Sequence, residues 1–560
     1  MSYTLVLEWM PGDLYMSAVT ARCTAPTSSY SVVWLPPNKV YQITLYCGST
    51  SLVSFLVGAF RGKAWSYMIQ IEHVSFQYAN AKEPTLRDVS LTIQKGEFVV
   101  LLGSSGCGKT TITRLINRLV PEFFEGELEG RVIVDGQNTD ELSIQDLAGV
   151  VGSVFQDPRS QFFATDTTAE IAFSCENVGI PREEICRRIE QAANDLQIQR
   201  LLERSIFELS SGEKQSIAIA SVYALAPKIL VLDEPSANLD AAATEHLMEI
   251  LHTLKQQGYT IIISEHRIHY LKDIADRAVL IEYGQITREL DASAFRSLSN
   301  EEANRMGLRS TDLLSIRPPV TQKKTGAEEQ ICLENLSYRY TRESETLANV
   351  NLSAGKGDIV GIVGTNGVGK STLLEIVCGL KKETNGEVRF GGQAVNSKTR
   401  VRDTFLVMQS SDYQLFTESV EKELFLGNDN NEELRKKGRV LLERMGLLDY
   451  RQQHPASMSG GQKQRLCIAV ACMKDTDVIC FDEPTSGLDY SSMVNVSSLL
   501  HELAEQGKTL LVTTHDYEFL MHTCTHICYL LNGRVESFFP VEPRYTPQIY
   551  SILFQKEVVL

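Results

Sequence analysis

The chain has 560 residues, 43% hydrophobic and 22% charged, with a formal net charge of −16. That length predicts several domains with large buried cores, and the ordinary composition excludes disordered, collagen-like and disulfide-scaffold classes. The acidic balance argues against a broad nucleic-acid surface, which needs clustered Lys and Arg. Scattered cysteines, several inside apolar runs (Cys467, Cys472, Cys480), read as reduced buried thiols rather than a secreted framework.

Residues 1–67 differ from the rest. They hold all three tryptophans (Trp9, Trp34, Trp65) and six charged residues (Glu8, Asp13, Arg22, Lys39, Arg61, Lys63). The uncharged run 40–60 is weak as a membrane span, because Gly48, Ser49, Thr50, Ser51, Ser54 and Gly58 interrupt it. A signal peptide fits worse, for want of a basic n-region. The stretch is expected to be a poorly ordered extension. Met68-Ile-Gln-Ile-Glu-His-Val-Ser-Phe then reads as the first strand of a domain.

A repeat organises the remainder. The run Gly103, Ser104, Ser105, Gly106, Cys107, Gly108, Lys109, Thr110 recurs as Gly364, Thr365, Asn366, Gly367, Val368, Gly369, Lys370, Ser371. Ser210-Ser211-Gly212-Glu213 recurs as Ser459-Gly460-Gly461-Gln462, Asp233-Glu234-Pro as Asp482-Glu483-Pro, and His266 as His515, all at an offset of 249. From Lys109 to Glu234 the first copy spans 125 residues, against 113 from Lys370 to Glu483. The excess is expected in surface loops. Each copy reads as α/β: an apolar strand, the glycine loop, a helix from Thr111 or Thr372, then buried parallel strands ending at Asp233 and Ser264, or Asp482 and Thr513. The expected domains are 68–290 and 331–540, with a polar linker over 291–330 and a tail over 541–560.

A P-loop works because its glycines let backbone N–H groups approach phosphate oxygens at a helix N-terminus. Lys109 and Lys370 would reach the outer phosphates of a nucleotide, and Thr110 and Ser371 would offer hydroxyls to Mg²⁺. Asp233 and Asp482 end apolar strands, where a carboxylate can hold the same ion. Glu234 and Glu483 follow at once and are candidates to polarise an attacking water. His266 and His515 end the next strand and suit a γ-phosphate sensor.

This order of motifs resembles an ATP-binding cassette ATPase, twice, over about 68–284 and 331–533. The resemblance implies two P-loop NTPase domains, each with a parallel-sheet core, an antiparallel β subdomain and a helical subdomain. It implies that Tyr78 and Tyr340 stack on adenine, that Thr111 and Thr372 join the nucleotide-binding loops, and that Gln156 and Gln409 touch Mg²⁺. Asp240 and Asp489 match the aspartates that line a shared interface. The two cassettes are expected to face each other head to tail. Ser459-Gly460-Gly461-Gln462 would then close over ATP held by Lys109, and Ser210-Ser211-Gly212-Glu213 over ATP held by Lys370. The first signature departs from the family pattern at Ser211 and Glu213. Two hydrolysing sites are expected, the one using Ser210 being the candidate for the weaker.

The words after the glutamines, Phe155-Gln156-Asp157-Pro158 to Phe162-Phe163 and Met408-Gln409 to Leu415-Phe416, resemble the ATPases of energy-coupling factor importers. That resemblance implies peripheral attachment to the cytoplasmic face of a membrane, a transmembrane coupling protein and a substrate-binding membrane protein as partners, and a vitamin, vitamin precursor or metal ion as cargo. Phe162, Phe163, Leu415 and Phe416 would form an apolar contact patch. The alternative is a tandem cassette acting on ribosomes or nucleic acid, for which a basic helical linker, a cysteine cluster or a coiled coil would be expected and none is read. A tandem sugar-importer ATPase fits less well, because both P-loops are intact. His522, Cys524, His526 and Cys528 alternate as a metal site might, but their counterparts in the first copy, such as Ala275, Arg277 and Val279, carry no ligands.

Overall fold

The structure, a computed structural model, describes residues 67–555 apart from 80, 82, 319–327, 342–344 and 427–430. Before residue 67 it describes only the backbone of four short strands, Leu5–Val6, Ala18–Val19, Ser29–Trp34 and Tyr41–Tyr46. Apart from those strands, the extension and run 40–60, with the expectations placed on them, lie outside the described residues, and the first cassette strand runs Tyr67–Tyr78.

Two P-loop cassettes of the same topology follow one another. The core sheet of the first has the order Val151–Val154, Ile229–Asp233, Thr260–Ser264, Phe98–Leu102, Arg277–Glu282, Gln285–Asp291. All neighbours are parallel except the last pair. In the second the order is Thr404–Val407, Val478–Asp482, Thr509–Thr513, Ile359–Val363, His526–Leu531, Arg534–Pro540, again antiparallel only at the end. Central strands such as Phe98–Leu102 and Thr260–Ser264 are buried along their whole length, because both faces of a parallel sheet are covered.

Alternate residues serve the two faces. Phe98, Val100 and Leu102 join helices on one side, while Val99 and Leu101 meet Ile112 and Leu115 of the P-loop helix and the antiparallel sheet on the other. That antiparallel sheet runs Leu86–Gln94, Tyr67–Tyr78, Gly126–Val134, Gln137–Asn138, and its counterpart is Glu345–Gly355, Glu329–Arg339, Asn385–Phe390, Gln393–Ala394. Helices Thr167–Asn177, Arg182–Asp195 and Ser211–Tyr223 form the helical part of the first cassette. Val420–Phe425, Glu432–Arg444 and Gly460–Met473 form that of the second.

The segment read as a polar linker is partly buried. Asp291 caps helix Ala292–Arg296, and Ser299 with Glu302 forms a capping box on Asn300–Arg305. Beyond them Arg309 is buried against the second cassette. It pairs with Asp516, and its Nε donates to Glu518 at 2.7 Å. The segment read as a tail carries helix Thr546–Phe554, whose Tyr550 and Phe554 rings pack on Tyr517. Phe554 also meets His269 of the first cassette, with ring centroids 6.4 Å apart. Neither feature leaves a periodic signal, because one is a single buried arginine and the other a helix of 9 residues.

The alternating His/Cys set does not share a strand. His522 lies in helix Tyr517–Thr523, and the strand begins at His526, whose ring stacks on Phe538. Among the described residues no group of three or more His, Cys, Asp or Glu side chains is arranged to hold a metal ion.

Candidate functional site

Each glycine loop joins a buried strand to a helix whose first residue is the lysine. Gly108 and Gly369 cap these helices at φ 113° and 106°, a left-handed conformation that a Cβ penalises. The loops curl around the lysine side chains. Lys109 Nζ donates to the carbonyls of Gly103 (2.8 Å) and Ser104 (3.0 Å), and Lys370 Nζ to those of Gly364 (2.8 Å) and Thr365 (3.1 Å). Ser105, Gly106, Gly108, Thr110 and Thr111 line a cavity of about 1200 Å³ at the first loop. Asn366, Gly367, Gly369, Ser371 and Thr372 line one of about 310 Å³ at the second. Cys107 is buried beneath its loop and Val368 packs on the antiparallel-sheet core.

The aspartates stand at the ends of adjacent strands. Register pairs Asp233 with Ser264 and Asp482 with Thr513, so each hydroxyl reaches its carboxylate. Thr110 Oγ1 donates to Asp233 Oδ1 at 3.2 Å. Burial pushes both aspartates above the usual carboxylate range, against the pull of these hydroxyls.

Glu234 and Glu483 leave the strands with φ 45° and 50°. A non-glycine residue held there costs on the order of 1–3 kcal/mol and persists only where its surroundings fix it. The fixing bonds are those from Glu234 N to Ser264 O (3.0 Å) and from Glu483 N to Thr513 O (3.1 Å). The turn aims both carboxylates into the cavities. His266 Nε2 lies 2.9 Å from Glu234 Oε1, and Gln156 Nε2 donates to Glu234 Oε2 at 2.7 Å. His515 Nε2 stands 3.4 Å from Glu483 Oε1 and 3.0 Å from Asn366 Oδ1. The two pairs differ in charge. Burial works against the Glu234 carboxylate, but the His266 imidazole beside it wins and holds it below its ordinary range. Burial dominates at Glu483 and pushes it up, while burial and Lys370 hold His515 down at about 3.

Both cavities have walls from both cassettes. Ser459, Gly460, Gly461 and Gln462 line the one with Lys109, and Ser211 lines the one with Lys370. Ser210 and Ser459 cap the signature helices, each in a box with Glu213 or Gln462. Gly212 is so close to Ala243 that a Cβ would clash. Asp489 Oδ2 accepts from Ser105 N across the interface at 2.7 Å. Asp240 caps helix Ala241–Gln256 and lies near enough to Lys370 and His515 to favour their charged forms. Gln409 lines the second cavity. Tyr78 and Tyr340 lean on their own P-loop helices, 3.1 Å from Thr111 Oγ1 and Thr372 Oγ1.

Sequence reasoning did not reach several wall residues. Ser486 Oγ donates to Ala237 O at 2.8 Å and also bonds Asn238. Ala237 and Ser486 are one repeat apart, so a contact between them marks the pseudo-twofold axis; the offset of 249 was the available signal. Gly487, Arg267, Arg465 and Phe123 also line these cavities and stand outside the recurring motifs.

A family model described as ABC transporter matches residues 86–237 and 347–486. A putative ABC transporter ATP-binding protein of Treponema denticola is 44% identical over 84% of this chain and 96% of its own length. The chain belongs to the ABC transporter family. Its cassettes bind ATP and hydrolyse it. A putative HMP/thiamine import ATP-binding protein of Bacillus subtilis is 31% identical over 82% of this chain and 89% of its own. The solved structure entitled RNase-L Inhibitor covers 86% of this chain and 93% of its own at a TM-score of 0.56 and 20% identity, a likeness of fold. Among the described residues no helix is long and apolar enough to cross a membrane.

Proposed function

We propose that this ABC ATPase powers an importer of the energy-coupling factor kind through separate membrane-spanning proteins, at the cytoplasmic face of the membrane. The observation that carries the reading is a matched pair of exposed phenylalanines. Phe163 is 75% exposed and Phe416 70%, at corresponding places after the two glutamines. Each loop is held by a buried glutamate: Glu170 accepts from Phe163 N (2.9 Å) and Ala164 N, and Glu423 from Phe416 N (3.2 Å) and Thr417 N. Phe162 and Leu415 instead pack on the cassette cores, so the docking surface narrows to one ring per half. Two fixed apolar knobs suit coupling helices of a membrane protein. The import role printed in the name of the Bacillus relative agrees. The cargo class is a vitamin, vitamin precursor or metal ion.

In this reading Lys109 with Ser459–Gln462, and Lys370 with Ser210–Glu213, form two composite ATP sites. Tyr78 and Tyr340 face the adenines. Hydroxyl–carboxylate pairs of hard oxygen donors, Thr110 with Asp233 and Ser371 with Asp482, fit Mg²⁺ and are joined by Gln156 and Gln409. When bound, the ion would neutralise phosphate charge. Glu234 and Glu483 take a proton from the attacking water, and His266 and His515 orient it. Two ATP molecules favour the closed pair and hydrolysis releases it, which shifts the membrane partner between states. The test is Phe163→Asp with Phe416→Asp. Copurification with a multispan membrane protein should be lost while ATPase activity persists; copurification with ribosomes instead would overturn the reading.

A further inference from the structure

Arg267 and Asp516 occupy equivalent positions, one residue after each histidine, but their surroundings differ. Asp516 is buried and fully engaged. It caps helix Tyr517–Thr523 through Phe519 N (3.1 Å), accepts from Thr485 Oγ1 (3.2 Å) and pairs with Arg309. Arg267 is half-buried, and its Nη1 donates to Leu239 O at 3.3 Å. Arg267 also lines the Lys370 cavity, together with Asn366, Glu483 and His515. Its charge reaches both groups, favouring the Glu483 carboxylate and opposing a charge on His515. Arg267 belongs to the first cassette, whereas Lys370 belongs to the second.

We propose that Arg267 is supplied in trans to the Lys370 site as a cation for the terminal phosphate of ATP. The inference rests on the two-site reading above. The Lys109 site gets no such group from position 516, because an aspartate stands there and Arg309 ties it down. The two arginines that line the Lys109 cavity are engaged elsewhere: Arg465 Nε donates to Met445 O at 3.0 Å and its Nη1 stands 3.5 Å from Ser492 Oγ, while Arg114 lies 3.9 Å over the Phe124 ring and donates to Tyr78 OH at 3.3 Å. Phosphoryl transfer spreads negative charge over the equatorial oxygens, and a fixed cation in a water-poor site stabilises that charge most in the transition state. Because Arg267 comes from the opposite half, it stands beside the phosphate only when the halves are closed. Hydrolysis at Lys370 is thereby tied to closure.

The two sites are separated by silencing each in turn. With Glu234→Gln, only the Lys370 site hydrolyses. Arg267→Ala should then lower kcat by about tenfold or more, with KM shifted less than kcat. Arg267→Lys keeps the charge without the planar fork and should recover part of the loss. With Glu483→Gln, the same alanine change should cost about fivefold less than it does at the Lys370 site. Equal losses in both backgrounds, or none in the first, overturn the proposal and leave Arg267 as a brace for the Leu239 carbonyl. If Glu234→Gln alone abolishes turnover, the reading of two independent sites has failed. ATP binding to the Glu234→Gln, Glu483→Gln double variant then decides: Arg267→Ala weakening one of two binding events supports the proposal, and two unaltered events overturn it.

Discussion

The two P-loop cavities are built from the same motifs and are not the same site. At Lys109 the glutamate is ionised by a close histidine and bridged to Gln156, and the cavity is about 1200 Å³. At Lys370 the glutamate is pushed toward its protonated form, the histidine is neutral, and the cavity is about 310 Å³. The identities of the shared glutamates, histidines and glutamines account for none of these differences. They come from geometry and neighbours: the distance from histidine to glutamate, an arginine or aspartate one position later, and an insertion after one P-loop helix. A repeat therefore fixes what chemistry each site can do, and the residues between motifs set how well each does it.

The largest effect is expected where the copies diverge most sharply in charge. Arg309 is buried with Asp516 and Glu518, and Ser310 N also bonds Glu518. Arg309→Ala would leave two carboxylates buried without their cation, at a cost of about 3–5 kcal/mol. Urea unfolding should show that loss in the second cassette. Replacing all three charged residues by apolar ones of similar size should recover most of it, because the burial penalty disappears with the charges. A small loss in the single variant would mean that water reaches the triad.

Next in size is the loss of each carboxylate proposed to take the proton of the attacking water. Glu234→Gln and Glu483→Gln should each leave partial ATPase activity, and the double variant should fall on the order of a hundredfold or more. Complete loss from either single change would break the picture of two separable sites. The residual rates also rank them. The one retained in Glu483→Gln belongs to the Lys109 site, whose signature Ser459-Gly460-Gly461-Gln462 keeps the family pattern.

Much of this was legible in the sequence, for physical reasons that also mark the limits. Phosphate binding and metal binding confine residue type and spacing, so the sequence pointed to Lys109, Thr110 and Asp233, which the structure brings to one cavity. Apolar runs ending in those residues gave the parallel sheet. Burial of Arg309 could not be read, because its partners lie some two hundred positions away and no local pattern announces an ion pair. Phe162 and Leu415 look like Phe163 and Phe416 in sequence, and only the chain direction after each glutamine separates core from surface. The four short strands described before residue 67 join neither cassette sheet.

A pH profile sharpens the contrast between the glutamates. In the proposed mechanism the base must be ionised, and burial raises Glu483 whereas His266 keeps Glu234 low. As pH falls, Glu483 is protonated first. The acid limb of kcat in Glu234→Gln, where the Lys370 site works alone, should lie at higher pH than in Glu483→Gln. Coincident limbs would show that bound nucleotide and Mg²⁺ erase the difference.

The smallest expected effect concerns the base end of the larger cavity. From Lys109 to Gln156 the first copy spans 47 residues, against 39 from Lys370 to Gln409. The excess does not lie idle at the surface: it carries Phe123 and Phe124 to the cavity that also holds Tyr78 and Arg114. Arg114 sits 3.9 Å over the Phe124 ring and donates to Tyr78 OH at 3.3 Å, while Phe123 meets Phe124 edge-on and stays 70% exposed. An exposed ring at a purine site offers a stacking face. In the second copy Lys381 covers the Tyr340 ring at 4.8 Å. Phe123→Ala should therefore weaken ATP at the Lys109 site a few-fold, on the scale of about 1 kcal/mol for one aromatic contact, and leave the Lys370 site alone. Titration with a fluorescent ATP analogue would resolve the two affinities. A matching loss at both sites would mean that Phe123 acts on the pairing of the cassettes instead of on the base.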